Sequence, residues 1–420
     1  MYWLLAGNRE RGYPFCSMDE AISLDAGRRT KRALFFSSLL HEPLFTLYSL
    51  VSFFLVKDMG ATALQITLFT MLKPVSTILS FYWSSWSRAR LRANVLWAGI
   101  LMRAPFLFVP WIDSVWFIIA ACVNYMFFYR AGMPAWMEIL KRNMPAGARE
   151  KAFSWSSTAS HIEGAIIAIA MGALLDQDPA EIKLLFVAAS LLGILGTLAQ
   201  VRVPVVECAK EARPPLGELI ARPWRDSWNL MRKRKDFAKF QWGFMVCGFA
   251  LMLMQPALPI FMVDELGISY KQVAVAIMVA KAFGFAASSP LWTRWMARIS
   301  MQRLSCAVFL TMAFFPLFMG MATKDLFWFF AAYFIYGVGQ GGSHLVWSMS
   351  GPHFAGKEES SRYTGVGVVL AGMRGAVAPP LGGLMLGGWG AIPVMGISAL
   401  LFLWSGLGIF KSSKKSLASN

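Results

Sequence analysis

Lys73, Arg103, Arg130, Lys281 and Arg374 each stand inside an apolar stretch of about twenty residues, and so do Glu42 and Glu163. An unpaired charge at the centre of a bilayer costs ~2.5–3.5 kcal/mol even on permissive insertion scales, so each of these groups must face water, a partner or a ligand. Buried cations suit the recognition of an anion, through charge-assisted hydrogen bonds. The carboxylates suit a different task. His41 and Glu42 lie in "LLHEPLF" at 39–45, where Pro43 frees a backbone carbonyl and favours a kink. A carboxylate withdrawn from water holds its proton more tightly, which makes Glu42, His41 and Glu163 candidates for proton coupling or gating. The bland reading of each cation is a long side chain that snorkels or satisfies a nearby carbonyl; that of Glu42 is a hydrogen bond to a neighbour within a kinked helix.

Catalytic chemistry finds no support. No Ser/His/Asp set stands in a supportive context, and Cys16, Cys122, Cys208, Cys247 and Cys306 are scattered without metal-ligand spacing, so neither a metal, a disulfide nor a cofactor is expected. "GVGQGG" at 337–342 matches a nucleotide-binding glycine pattern, but no strand precedes it and helix packing is the better reading.

The elements that carry these residues are membrane helices. Of 420 residues, 57% are hydrophobic and 15% charged, with a mean hydropathy of +0.52, which is not a soluble balance. Apolar runs predict twelve spans, at 33–56, 62–86, 93–112, 115–140, 152–175, 181–201, 240–263, 270–296, 301–322, 325–350, 361–387 and 389–410. The expected organisation is a tail 1–32, a six-helix bundle 33–201, a central loop 202–239, a second six-helix bundle 240–410 and a tail 411–420. Most of the 40 Lys and Arg fall on one side of these spans, while Lys57, Lys183, Lys271 and Lys324 fall on the other. Basic loops stay in the cytoplasm, so both termini are expected inside, in a bacterial inner membrane or a plasma membrane. The net charge of +17 is then a topology signal, and no nucleic-acid partner is expected. "MYWLLAG" does not resemble a cleaved signal, and Met18 is an alternative start. In the central loop, 219–240 reads as an amphipathic segment with Trp224, Trp228 and Phe237 toward lipid.

The chain also repeats itself. "FFLVKDMGATALQITLFTMLKP" from Phe53 aligns with "IFMVDELGISYKQVAVAIMVAK" from Ile260, pairing Gly60 with Gly267 and Gln65 with Gln272, and bringing Lys73 within one residue of the place of Lys281. "WSSWSRARLR" at 83–92 pairs with "TRWMARISMQR" at 293–303, and "IAMGALL" at 169–175 with "PLGGLML" at 380–386. By depth, at about 1.5 Å per residue, Lys73, Lys281, Glu163 and Arg374 all fall near mid-span.

From residue 33 to 410 the sequence resembles the major facilitator superfamily, through its six-plus-six layout, basic central loop and short loops after spans two and eight. The family's loop pattern is Gly, three residues, Asp-Arg, one residue and Gly-Arg-Arg. Here Arg88 and Arg92, and in the second copy Arg298 and Arg303, match it, whereas Trp83, Ser87, Thr293 and Ala297 occupy the glycine and aspartate places. Span five, "AIAMGA" at 168–173, lacks the proline of drug/proton antiporters, and "APPLGG" at 378–383 comes nearer. The resemblance implies an all-α integral membrane fold of twelve transmembrane helices in two pseudo-symmetric bundles. It further implies that span five faces span eight and span two faces span eleven, so that Glu163 opposes Lys281 and Lys73 lies near Arg374.

The function expected is secondary transport of a small solute by alternating access, without enzymatic activity, by a monomer. Five cations against two acids favour an organic anion, bound by Lys73, Arg374, Lys281, Arg103 and Arg130, with proton coupling or symport as the accompanying expectation. Tyr48, Tyr125, Trp136, Tyr333, Tyr336 and Trp347 are candidates to line a cavity. The alternative is an exporter of amphipathic compounds; from another class, a non-transporting sensor or an intramembrane enzyme on the same scaffold.

Overall fold

The computed structural model describes residues 24–86, 90–205, 216–355 and 360–417, and these are helical throughout apart from short links. In chain order the helices are α1 (Leu24–Lys57), α2 (Ala63–Trp86), α3 (Leu91–Leu101) with a 3-10 turn (Ala104–Phe108), α4 (Val115–Asn143), α5 (Ala146–Gln177) and α6 (Glu181–Val201). An extra helix, α7 (Leu216–Lys233), fills part of the central loop. Then follow α8 (Lys235–Met254), carried on by Ala257–Ile260 and a π turn (Phe261–Glu265), and α9, begun by Tyr270–Ala274, widened by a π turn (Val275–Ala280) and completed by Lys281–Met296. The last four are α10 (Met301–Met321), α11 (Phe327–Ala355), α12 (Ser360–Trp389) and α13 (Ala391–Leu417). Nine of the helical segments, among the described residues, are long and apolar enough to cross a bilayer by themselves. With α2, α3 and α11 packed among them, they give the twelve-span membrane fold.

Three expectations need correction. α1 starts at Leu24, not at 33, so the end of the basic tail is already helical. The third span is not continuous from 93 to 112: Pro105 lacks an amide hydrogen, and the chain leaves the α-helix at Leu101 for a 3-10 turn. Phe237 does not face lipid. It is fully buried, against Phe354 and Tyr363, because α8 begins at Lys235 and its first turn already points into the second half's core.

α1 packs on α5 and α6, α2 on α4, and α3 on α4 and α6; in the second half α8 packs on α12 and α13, α9 on α11, and α10 on α11 and α13. Two large crossings join the halves, α2 with α12 and α5 with the start of α9. Small residues permit them: a Cβ at Gly172 would overlap the Lys271 backbone, one at Gly383 the Thr67 side chain, and one at Gly375 the Pro74 ring.

The repeat shows in the turns that lead into α2 and α9. Gly60 and Gly267 both take positive φ, 61° and 57°, where a side chain would be strained. Two residues on, Thr62 and Ser269 open reciprocal caps. Gln65 and Gln272 donate their backbone N–H to those hydroxyls and accept the N–H of Thr62 and Ser269 on their Oε1.

At the end of the bundle that carries these turns, one apolar core runs through both halves, from Leu47, Phe54 and Ile66 to Phe261, Tyr270 and Phe315. Toward the opposite end it gives way to two separate cores, one around Leu140 and Val95 and one around Phe309 and Val308. The halves are therefore packed together at the Asp58 end and have independent cores at the other.

Candidate functional site

At the Asp58 end, ionic and aromatic groups staple the two halves. The first turn of α9 has free backbone donors, and Asp176, from the end of α5, accepts them: Oδ1 from the Tyr270 N–H at 2.7 Å and Oδ2 from the Lys271 N–H at 3.0 Å. The Tyr270 hydroxyl donates to Asp58. Lys57 Nζ donates to the Ile268 carbonyl at 3.4 Å and lies 4.8 Å from the centre of the Tyr270 ring and 5.3 Å from that of Phe53.

Beneath this staple a cavity of about 120 Å³ lies between the halves. Ser52 and Phe53 of α1, Phe69 and Thr70 of α2, Gln255, Leu258, Pro259 and Met262 from α8 and its extension, Val273 and Ile277 of α9, and Tyr333 of α11 line it. No carboxylate, Lys or Arg is among them. Of the aromatics expected to line a cavity, Tyr333 does so. Tyr48, Tyr125 and Trp136 are core residues, Tyr336 stacks on Phe315, and Trp347 belongs to a small separate cleft with Gln241 and Tyr363. Ser52, Thr70 and Gln255 were not singled out, although a Gln beside a proline in the apolar run of span seven is a visible signal.

Further from the staple lie Glu42, Glu163 and Lys281. Ser49 of α1 meets Met278 of α9 at 3.8 Å, and Gly172 of α5 meets Lys271. Counting inward from the Gly172–Lys271 contact at about 1.5 Å per residue brings Glu163 and Lys281 to a similar depth, whereas from the Ser49–Met278 contact Glu42 lies about one helical turn deeper than Lys281. The Glu42 carboxylate lies against Gly164, beside Glu163 and within electrostatic reach of it. Glu163 Oε2 is buried without a hydrogen-bond partner. Lys281 has neither an ion pair nor a side-chain hydrogen bond among the described residues. The expected Glu163–Lys281 bridge is thus not formed in this conformation. The π turn Val275–Ala280 adds a residue per turn just before Lys281 and shifts it off the α-helical register.

The arginines belong to their own halves. Arg103, 1% exposed, donates from Nη1 to the Gly99 carbonyl at 2.8 Å and to Thr197 Oγ1 at 3.0 Å, its stem lying against Gly193. His41 packs beside it on Gly196, bonding the Gly193 carbonyl, and its Nε2 has no partner. Arg374 lies against Gly248, donates from Nη1 to the Phe244 carbonyl at 3.2 Å and stands 5.5 Å from the centre of that ring. Arg130 stands 5.8 Å from the Tyr129 ring centre. Lys73 is in α2, next to the Pro74–Gly375 contact with α12, and its side chain lies outside those described. Of the loop arginines, Arg88 lies outside the described residues, Arg92 donates to the Val203 carbonyl at 3.1 Å, and Arg298 and Arg303 are exposed.

The structure therefore brings Glu42 and Glu163 together on the packed pair α1 and α5, leaves Lys281 on the part of α9 that packs on α11, and directs Arg103, His41 and Arg374 elsewhere.

A family model described as Major Facilitator Superfamily matches residues 34–372 and 242–417. Among curated proteins no sequence match is found. Solved structures share the fold at low identity. A bacterial homolog of the human lysosomal transporter Spinster, in an inward-facing and unoccupied conformation, is 14% identical with a TM-score of 0.67, over 94% of this chain and 98% of that one. The nucleoside transporter NupG is 12% identical with a TM-score of 0.67, over 91% and 99%. A POT family transporter in complex with 5-aminolevulinic acid is 12% identical with a TM-score of 0.72, over 92% and 96%.

Proposed function

The chain belongs to the major facilitator superfamily, and from that premise we propose that it carries a small organic monoanion across the membrane, coupled to a proton held by Glu42 and Glu163. It is a multi-pass membrane transporter and not an enzyme. The observation that carries the substrate class is Lys281, without a partner among the described residues, at about the depth of Glu163. Ile277, which lines the cavity between the halves, lies one turn from Lys281 on the same helix. The anionic group would meet the ammonium, and an uncharged, partly apolar body would occupy the cavity of Ser52, Thr70, Gln255 and Tyr333. Arg103 and Arg374 each donate from Nη1 to carbonyls or a hydroxyl of their own halves, Nε being left without a partner, so they leave the binding set and support the fold.

With both termini in the cytoplasm, the stapled end faces outward and the end with two separate cores faces inward. Substrate or a proton then acts by changing the charge balance among Glu42, Glu163 and Lys281, which biases the rocking of the halves.

The uncharged lining of the cavity favours one other reading, export of a neutral amphipathic compound. A thermal-shift panel of anionic, neutral and cationic solutes, followed by flux in proteoliposomes, separates the two. Anions should stabilise the protein, and Lys281→Gln should remove about tenfold or more of their affinity, as expected for a charge-assisted hydrogen bond of about 1.5–3 kcal/mol. Stabilisation by neutral solutes alone sinks the anion reading. Binding without flux points to a sensor. Glu42→Gln should abolish pH-driven uptake and spare counterflow exchange.

A further inference from the structure

α7 is joined to the first membrane span of the second half without a spacer: it ends at Lys233, and Arg234 is already the N-cap of α8. Its position is fixed by a narrow face. Ser227, Leu230 and Met231 turn inward, the last two onto the core around Phe237, and the helix packs on α12 and the start of α8. The next strip around the helix is Trp224 and Trp228, 40% and 60% exposed. Beyond it are the exposed Arg225, Arg232 and Lys233, with the Arg232 guanidinium 4.9 Å from the centre of the Trp228 ring. Inward apolar face, tryptophan strip and basic strip thus follow one another around a helix held at the end of a membrane span. A soluble partner has no need of that order; a bilayer surface matches it, because indoles favour the headgroup boundary and cations favour anionic headgroups.

We propose that α7 is a lipid-recognition helix, with Trp224 and Trp228 seated in the adjoining leaflet and Arg225, Arg232 and Lys233 binding the headgroups of anionic phospholipids. The effect reaches the transport machinery by a short path. Arg234 follows the basic strip directly and donates from Nη1 to the Tyr363 hydroxyl of α12 at 2.9 Å, and α12 is the helix that crosses to α2 in the other half.

The test is native mass spectrometry of the full chain with phosphatidylglycerol or phosphatidylcholine added. The unmodified protein should retain phosphatidylglycerol over phosphatidylcholine by at least about tenfold, and soluble glycerol phosphate should not displace it. Arg225→Gln with Arg232→Gln and Lys233→Gln should bring the preference close to one, whereas Arg225→Lys with Arg232→Lys should keep it. Trp224→Ser with Trp228→Ser should lower retention of both lipids. No preference in the unmodified protein overturns the proposal, and so does displacement by glycerol phosphate. A triple glutamine variant that keeps the full preference overturns it as well. The first two arms need no variant, so a substitution that impairs folding leaves the proposal decidable.

Discussion

The α5–α9 and α2–α12 crossings occupy corresponding places in the internal repeat, and they are held by different forces. Gly172 and Gly383, paired in the sequence alignment of the halves, are both the points of closest approach. At α5–α9 the glycine brings backbone against backbone, and Asp176 then accepts two N–H groups from the other half. At α2–α12 the glycines admit only side chains, the Thr67 hydroxyl and methyl and the Pro74 ring. One crossing is therefore bonded by directional polar contacts between the halves and the other is held by close side-chain packing. The turns that feed them teach the same lesson. Gly60 and Gly267 build one backbone shape twice, yet Lys57 and Asp58 precede the first turn to α2, while Asp264 and Glu265 precede the second, and Tyr270 follows it. Duplicated scaffolds carrying unlike side chains let one turn grip the other, since Asp58 accepts from the Tyr270 hydroxyl and Lys57 donates to the Ile268 carbonyl.

If this contrast holds, Gly172→Leu should have the largest effect, because its side chain meets a backbone that cannot rotate away. The cost should exceed about 3 kcal/mol and pull the crossing apart. A cysteine placed at Ser52 in the cavity wall would report it, reacting with a membrane-impermeant thiol reagent from the Asp58 side. Asp176→Ala comes next. It strips two donors of their acceptor, should cost about 1–3 kcal/mol and should raise the same labelling rate by roughly tenfold. Unchanged labelling would mean that the Asp176 contacts do not seal the cavity. Tyr270→Phe removes one hydrogen bond and should shift labelling by only about 0.5–1.5 kcal/mol. The smallest net effect should come from Gly383→Ala combined with Thr67→Ala. The alanine alone collides with Thr67, the pair should return to within about 0.5 kcal/mol of the parent, and thermal unfolding of the double-mutant cycle measures the coupling.

The spans and their pairing were legible because hydrophobic length and the glycine–glutamine repeat are local signals. Gly60, Gly267, Gln65 and Gln272 could be read as one motif before any helix was placed, and the motif turned out to be a positive-φ turn with a reciprocal cap. Pro105 was equally visible, yet counting apolar residues hid the break that it makes in α3. The charged layer was half legible. Depth counting brings Glu163 and Lys281 to one level and the resemblance sets them opposite each other, but the π turn before Lys281 leaves no mark in composition, and no ion pair joins them among the described residues. Arg103 and Arg374 were read as cavity cations because depth says nothing of direction. What turns them inward is a glycine on a neighbouring helix, Gly193 for one and Gly248 for the other, which only the packed structure brings opposite. Phe237 failed for a related reason: the amphipathic pattern was extended past Arg234, where one helix ends and the next begins.

The two inward-turned arginines also impose an order of assembly. Arg374 is made after Phe244, so its acceptor is already in place when it leaves the ribosome. Arg103 is not so served: its hydroxyl partner, Thr197, is 94 residues further along, and until α6 is made only the carbonyl of Gly99, in the short helix just before it, can receive it. The third span is thus a poor candidate for early release into lipid, and the first half should linger at the insertion machinery until its sixth helix arrives, whereas the second half has no such wait.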